Sequence, residues 1–245
     1  MATTYRQGSK GAIVKQIQKV VGAYPDGIWG EVTTECVRRW QATHGLSADG
    51  IVGVKTLAKM GLQATAQAVT PSTKARTIEG PNGIVLKKSR RRIDYIAVHC
   101  TATREKQTMT VEQIRAGHKA KGWSDIGYHY VVTLDGRVHL GRDVDVAGAH
   151  VSGYNPNSIG ISYVGGLENR PGVPYNRLKA KDTRTDAQKA ALLNLLMALR
   201  RLYPKAKIQG HRDFSPDRNG NGTIEPSEWI KACPSFDAKT EYRMI

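Results

Sequence analysis

The spacing of apolar residues divides the chain into two regions. Near the N-terminus, Ile13 and Ile17 recur at helical spacing, and Val37 and Trp40 continue that spacing in a second segment. Residues 93–99 instead form a mostly apolar run, which is typical of a buried strand. The pattern therefore predicts a small helical region followed by a region that contains strands.

The second region alternates strand-like and helix-like segments. Residues 128–140 predict a hairpin around an Asp-Gly turn, and residues 159–164 predict another strand. Thr110 and Thr185 are each followed three residues later by Gln, a capping box that predicts the start of a helix, and Pro204 ends the second helix. Strands with helices between them indicate an α/β domain with a mixed central sheet flanked by helices.

An internal repeat marks the first region. Residues 26–33 and 49–56 both read DGIxGxxT, in which Asp-Gly forms a tight turn and the last positions open a helix. Two such units and the helix before them predict a three-helix bundle. Together with Gly8 and Trp40, the repeat resembles the peptidoglycan-binding three-helix domain carried by many cell-wall hydrolases. The resemblance implies peptidoglycan as a partner for residues 1–65, whereas each residue taken singly is expected to serve as scaffold.

Positive charge is concentrated between the two regions. The chain carries 37 Lys and Arg against 21 Asp and Glu, a formal net charge of +16, which indicates a polyanionic partner. Residues 66–92 are predicted as a linker, with a basic run at residues 87–92. That run lacks the interleaved aromatic residues of nucleic-acid binders, so we expect no specific nucleic-acid partner. A solvated linker and a contact with an anionic envelope are the two alternatives for it.

The cysteines and the first residues indicate the compartment. The three cysteines are far apart and odd in number, which argues against a disulfide framework and favours reducing conditions. The N-terminus lacks the apolar core of a secretory signal, and no run approaches the ~18 apolar residues of a membrane span. We therefore expect synthesis in a cytoplasm, and nothing in the sequence indicates more than a monomer.

Two histidines and one cysteine are the candidate metal ligands. His99 ends one predicted strand, His211 follows another over residues 206–210, and Cys233 lies in a loop. Two neutral imidazoles and a thiolate would leave zinc an open fourth position, as in catalytic sites. Their spacing alone carries no local signature, because a single histidine at a strand end more often belongs to the core or the surface.

The segments around these residues resemble the type-2 N-acetylmuramoyl-L-alanine amidases, the family shared by phage amidases and peptidoglycan recognition proteins. The resemblance implies a zinc amidase domain over residues 93–245, with His99, His211 and Cys233 as the zinc ligands. The matching segments are residues 98–103, 122–129, 157–160, 210–211 and 231–237.

Two further residues receive roles from the resemblance. It implies that Tyr128 and Lys231 flank the metal and are needed for turnover. Zinc lowers the pKa of its water toward ~7, and a hydroxyl and an ammonium at fixed positions can stabilise the oxyanion. Considered alone, Tyr128 would be a packed strand aromatic and Lys231 a solvated charge. His150 and Asn157 are predicted substrate contacts, with turn-forming structure as the alternative.

The segment between His211 and Cys233 departs from the compact phage pattern. Residues 217–228 fit D-x-[DN]-x-[DN]-G-x5-E, the spacing of a calcium-binding loop. Pro216 blocks the entering helix of a full EF-hand, and a polar loop without an ion is the alternative. The predicted calcium ligands are Asp217, Asn219, Asn221, the Thr223 carbonyl and Glu228.

The sequence thus predicts a phage-type endolysin that hydrolyses the amide bond between N-acetylmuramic acid and L-alanine in bacterial peptidoglycan. The alternative is a recognition protein on the same fold that has lost catalysis, although a thiolate ligand at Cys233 argues against that loss. An endolysin without a signal peptide would be made in the host cytoplasm and act on the cell wall after release.

Overall fold

Two units make up the computed structural model, which describes residues 4–62 and 77–245. The first unit is Met1–Ala75 and the second is Arg76–Ile245. Within the described ranges, no helix combines the length and the apolar character that crossing a membrane requires.

The described residues of the first unit form three helices, as the sequence predicts: α1 (Ala12–Val21), α2 (Glu31–Thr43) and α3 (Val54–Lys59). Their apolar faces meet in one core around Trp29, which is 1 % exposed. The other buried members of that core are Ile13, Val14, Ile17, Val37, Val52, Leu57 and Met60.

The two repeat turns are held by the same buried glutamine contact. Gln18 Nε2 donates to Asp26 Oδ1 (2.7 Å), and Gln18 Oε1 accepts the backbone N–H of Gly27 (2.7 Å). Gln41 makes the same two bonds in the second repeat, at 3.0 and 2.9 Å. Gly27 has φ +77°, a conformation that favours glycine. Each DGIxG sequence is therefore a tight turn fastened to the preceding helix.

The second unit contains a five-stranded mixed sheet. Its order is β6-β5-β7-β3-β9, and within it only the β5–β6 hairpin is antiparallel. These strands are β3 (Tyr95–Cys100), β5 (Tyr130–Val132), β6 (Val138–Leu140), β7 (Ser158–Tyr163) and β9 (Lys207–Gly210). The shorter strands outside this sheet are β1 (Thr77–Glu79), β2 (Val85–Lys87), β4 (Thr103–Arg104) and β8 (Gly166–Leu167).

Helices α4 (Val111–Lys119) and α5 (Asp186–Leu202) begin at the two predicted capping boxes. Thr110 Oγ1 accepts the N–H three residues later at 3.2 Å, and Thr185 Oγ1 does the same at 3.1 Å. A short helix, α6 (Ala238–Glu241), lies near the C-terminus. The predicted fold class, a mixed sheet flanked by helices with a small N-terminal helical domain, is confirmed.

Residues 77–92 belong to the second unit, whereas the sequence suggests a linker through residue 92. β1 and β2 pair with each other, and the Asn82 side chain exchanges two hydrogen bonds with the Val138 backbone (3.1 and 2.9 Å). Ser89 Oγ donates to the Val144 carbonyl (2.7 Å). These contacts are to residues about 55 positions away, so composition could not reveal them. Residues 66–76, the rest of the predicted linker, lie outside the described residues.

Candidate metal centre and cleft

The sheet register brings His99 and His211 together. β3 and β9 are parallel neighbours with Val98 opposite Gly210, so His99 lies one step beyond that pair and His211 directly follows β9. Their Nδ1 atoms are 3.1 Å apart. The carboxyl ends of parallel strands meet at one edge of a sheet, where sites commonly form.

Cys233 reaches the same point from a loop. Its Sγ lies 3.8 Å from His99 Nδ1 and accepts the backbone N–H of Cys100 at 3.2 Å. Its carbonyl accepts the Arg212 N–H at 2.8 Å, which fastens the loop beside His211. The donor atoms of the two histidines and the cysteine all lie within 4.8 Å of one another. The structure therefore brings together the three predicted ligands.

Burial keeps both imidazoles neutral. His99 is 1 % exposed, and burial, followed by the nearby His150, lowers its pKa well below the usual value. Burial and then the Lys231 ammonium lower the pKa of His211 to about 4. Neutral imidazoles have a free lone pair near pH 7, which a zinc ligand requires.

Cys233 would have to lose a proton to act as a ligand. Hydrogen bonding to the Cys100 thiol and then burial raise the pKa of Cys233. The backbone N–H of Cys100 and the Lys231 ammonium lower the pKa, but by less. Binding of a divalent cation here would therefore release a proton.

Tyr128 and Lys231 lie beside the ligand cluster. The Tyr128 ring centroid is 5.3 Å from that of His99. Burial, with a smaller contribution from the Cys233 thiol, raises the pKa of the Tyr128 hydroxyl, so it stays protonated and can donate a hydrogen bond. Lys231 is exposed and lines the same cleft as His211.

A cleft of about 410 Å³ opens next to the cluster. Its rim carries two exposed apolar side chains, Trp123 at 38 % and Ile230 at 63 %. Among the described residues that line it, none is acidic. The lining residues are Trp123, Ala149, His150, Val151, Ser152, Asn155, His211, Phe214, Ser215, Ile230 and Lys231.

The two predicted substrate contacts lie in different surroundings. His150 lines the cleft but is 8 % exposed, with Nδ1 3.1 Å from His99 Nε2. Asn157 does not line the cleft, and its side-chain amide donates to Asp94 Oδ2 (3.0 Å). Asn155, which sequence reasoning missed, lines it instead and accepts the His150 N–H at 2.9 Å. Both asparagines lie in one 3₁₀ turn, so no sequence signal distinguishes them.

The predicted calcium loop is held by hydrogen bonds of its own. Asp217 accepts two backbone N–H groups, both at 2.7 Å, and the buried Glu228 accepts three at 2.7, 3.2 and 2.9 Å. Asn219 and Asn221 each donate a side-chain N–H to Glu225 (3.2 Å). These contacts show a folded loop and leave calcium as a prediction from the motif.

Comparison with known proteins identifies the family. Residues 89–228, more than half of the chain, match the family described as N-acetylmuramoyl-L-alanine amidase. The chain belongs to this amidase family. Residues 11–60, in its first unit, match the family described as putative peptidoglycan binding domain.

Several relatives of the amidase are phage proteins. It is 41 % identical to the endolysin of Enterobacteria phage K11 over 57 % of this chain and 79 % of that protein. It is 39 % identical to the endolysin of Escherichia phage T7 over 62 % of this chain and 87 % of that protein. It is 30 % identical to a peptidoglycan-recognition protein of Drosophila melanogaster over 42 % of this chain and 52 % of that protein. Among solved structures, the Ph2119 endolysin from a Thermus scotoductus bacteriophage is 31 % identical, with a TM-score of 0.42, over 58 % of this chain and 77 % of that one.

Proposed function

We propose that this amidase is a modular phage-type endolysin that hydrolyses the bond between N-acetylmuramic acid and L-alanine, with zinc as its cofactor. The observation that carries the proposal is the convergence of His99, His211 and Cys233 beside a cleft. Two neutral imidazoles and a thiolate are a donor set of catalytic zinc sites, and three protein ligands leave a fourth position for the reaction.

The residues around the donor set support amide hydrolysis. When bound, zinc supplies a Lewis acid and lowers the pKa of a coordinated water toward ~7. Tyr128, kept protonated by burial, donates a hydrogen bond to the carbonyl oxygen as negative charge develops there. The Lys231 ammonium stabilises the same charge and can pass a proton to the leaving amine. Since no described cleft residue is acidic, no carboxylate is available in the lining to act as a general base.

The first unit is proposed to bind the bacterial cell wall. Its family match and its three-helix core support peptidoglycan as the partner. In this proposal the monomeric protein is made in the host cytoplasm and meets the wall after release, consistent with its phage relatives.

Purified peptidoglycan sacculi provide the test. We expect the zinc-loaded protein to clear a sacculus suspension and to release N-terminal alanine without new reducing sugar ends. Cys233→Ala should lose zinc and activity, whereas Cys36→Ala, in the first unit, should keep both. New reducing ends, or full activity in Cys233→Ala, would contradict the proposal. Binding to sacculi without hydrolysis would favour the recognition-protein alternative.

Calcium binding by residues 217–228 is a separate proposal that rests on the motif. We expect calcium titration to release heat with the parent protein and none with Glu228→Gln, which removes the bidentate ligand. Glu35→Gln is the matched control, because Glu35 is exposed and lies in the first unit, outside the loop. A parent protein that binds no calcium at millimolar concentration contradicts this proposal.

A further inference from the structure

His150 lies behind the metal cluster, and both of its ring nitrogens face protein atoms. Its Nδ1 is 3.1 Å from His99 Nε2, and the two rings meet edge to face with centroids 5.0 Å apart. Its Nε2 is 3.4 Å from Ser158 Oγ, and that hydroxyl donates to the Tyr154 carbonyl at 2.7 Å. Four groups thus form a chain that starts at a main-chain carbonyl and ends at a predicted ligand.

The Tyr154 carbonyl determines which group donates and which accepts at each step of this hydrogen-bonded chain. A carbonyl oxygen can only accept a hydrogen bond, so the Ser158 hydroxyl donates its single proton to the Tyr154 carbonyl. The lone pairs of the Ser158 oxygen can then only accept a hydrogen bond from His150. His150 therefore carries its proton on Nε2, and its Nδ1 is an acceptor. That acceptor takes the Nε2–H of His99, which leaves the His99 Nδ1 lone pair free.

The free nitrogen is the one that faces the cluster. His99 Nδ1 lies 3.1 Å from His211 Nδ1 and 3.8 Å from Cys233 Sγ. The opposite tautomer of His99 would place a proton at that point and prevent it from binding a metal ion.

The position of the His150 ring is restricted by its neighbours. A Cβ atom at Gly160 would lie 2.5 Å from the ring, so the close approach depends on glycine there. The His129 ring packs edge-on against it, with centroids 5.6 Å apart. The ring is thus held at hydrogen-bonding distance from His99.

We propose that His150 is a positioning residue that holds His99 in the tautomer able to bind zinc, with Ser158 and the Tyr154 carbonyl setting its orientation. The inference rests on the zinc site proposed above. It differs from the expected substrate contact, because both His150 nitrogens are engaged within the protein. Removing an acceptor that orients a metal-binding histidine typically weakens metal binding by about 10–100-fold.

The test compares zinc affinity in full-length His150→Leu and His150→Asn, measured by competition with a chromophoric chelator. The two replacements are similar in size, but only the Asn side chain offers an oxygen near the position of Nδ1. We expect about 10–100-fold weaker zinc binding in the Leu variant and most of the affinity retained in the Asn variant. Parent-like affinity in a folded Leu variant would overturn the inference, and so would an equal loss in both variants.

A second measurement needs no variant. Nitrogen-15 imidazole spectra of the chelator-treated parent protein should show His99 and His150 both protonated on Nε2. A proton on Nδ1 of His150 would overturn the inference even if a substitution prevented folding. A parent protein that binds no zinc would contradict the proposed function, while the spectra and the variant comparison address His150 itself.

Discussion

Burial sets the protonation of single residues around the site, and His129 shows this most simply. Its Nδ1 accepts the Gly160 N–H at 2.9 Å, and its Nε2 lies 3.1 Å from the Val146 carbonyl. The ring is fully buried, and burial lowers its pKa from 6.5 to about 4. The folded protein therefore holds His129 neutral over a pH range in which the unfolded chain takes up a proton.

The free energy of unfolding should consequently fall as the pH drops from 6.5 toward 4. The stabilisation from neutral His129 is complete above 6.5, and its loss approaches about 1.4 kcal/mol per pH unit within that window. Urea unfolding at pH 7 and pH 5 measures this difference in the free energy of unfolding. In His129→Asn, whose side-chain oxygen can still accept the Gly160 N–H, the pH dependence should be smaller. An unchanged pH dependence in this variant would show that His129 does not contribute to the loss of stability at low pH.

The Tyr128 hydroxyl is expected to act in catalysis rather than in metal binding. Tyr128→Phe should lower kcat by about 10²–10³-fold, the cost of losing one oxyanion donor, while zinc content stays at the parent level. Tyr175→Phe, which removes a hydroxyl from a side chain that is 48 % exposed, is the control and should leave kcat unchanged. A kcat in Tyr128→Phe close to that of the parent would remove the residue from the proposed mechanism.

Among the elements, the segment of residues 77–92 braces the strand next to the site. Arg91 donates to the carbonyls of Val144 (2.8 Å), Asn155 (3.0 Å) and Ser158 (3.2 Å). Asn155 lines the cleft, and Ser158 begins β7. Arg91, a member of the basic run, therefore donates hydrogen bonds within the second unit. The prediction of a linker over residues 66–92 did not include this role.

Arg91→Ala should destabilise the second unit by about 2–3 kcal/mol, because it leaves several carbonyls without a charged donor. Arg92→Ala is the matched control: its side chain is 86 % exposed and pairs with the carboxylate of Asp94, so we expect a change within about 0.5 kcal/mol. Urea unfolding followed by circular dichroism compares the two variants. Equal stability of both would contradict the bracing role of Arg91.

For the whole molecule, each unit has its own buried core, which predicts separable functions. A chain that starts at residue 76 should hydrolyse a soluble muramyl peptide with parent-like kcat/KM, because the ligand cluster and the cleft lie in the second unit. Its retention on sacculi in a sedimentation assay should fall below that of the full chain. Unchanged retention would contradict the proposed role of the first unit.

The sequence alone determined what depends on neighbours a few positions apart. The capping boxes at Thr110 and Thr185 and the two DGIxG turns are closed by hydrogen bonds over short sequence separations, so local residue types suffice to predict them. The zinc ligand candidates also came from the sequence, but through family resemblance rather than through spacing. His99 and His211, 112 positions apart, carry no local signature.

Only the tertiary structure decided which residues meet across long separations. It placed Asn155 rather than Asn157 in the cleft, packed residues 77–92 into the second unit, and set His150 behind His99. Each outcome depends on the register of parallel strands and on contacts about 50 or more positions apart. Such contacts form because the whole sheet assembles, and residue type at one position does not encode them.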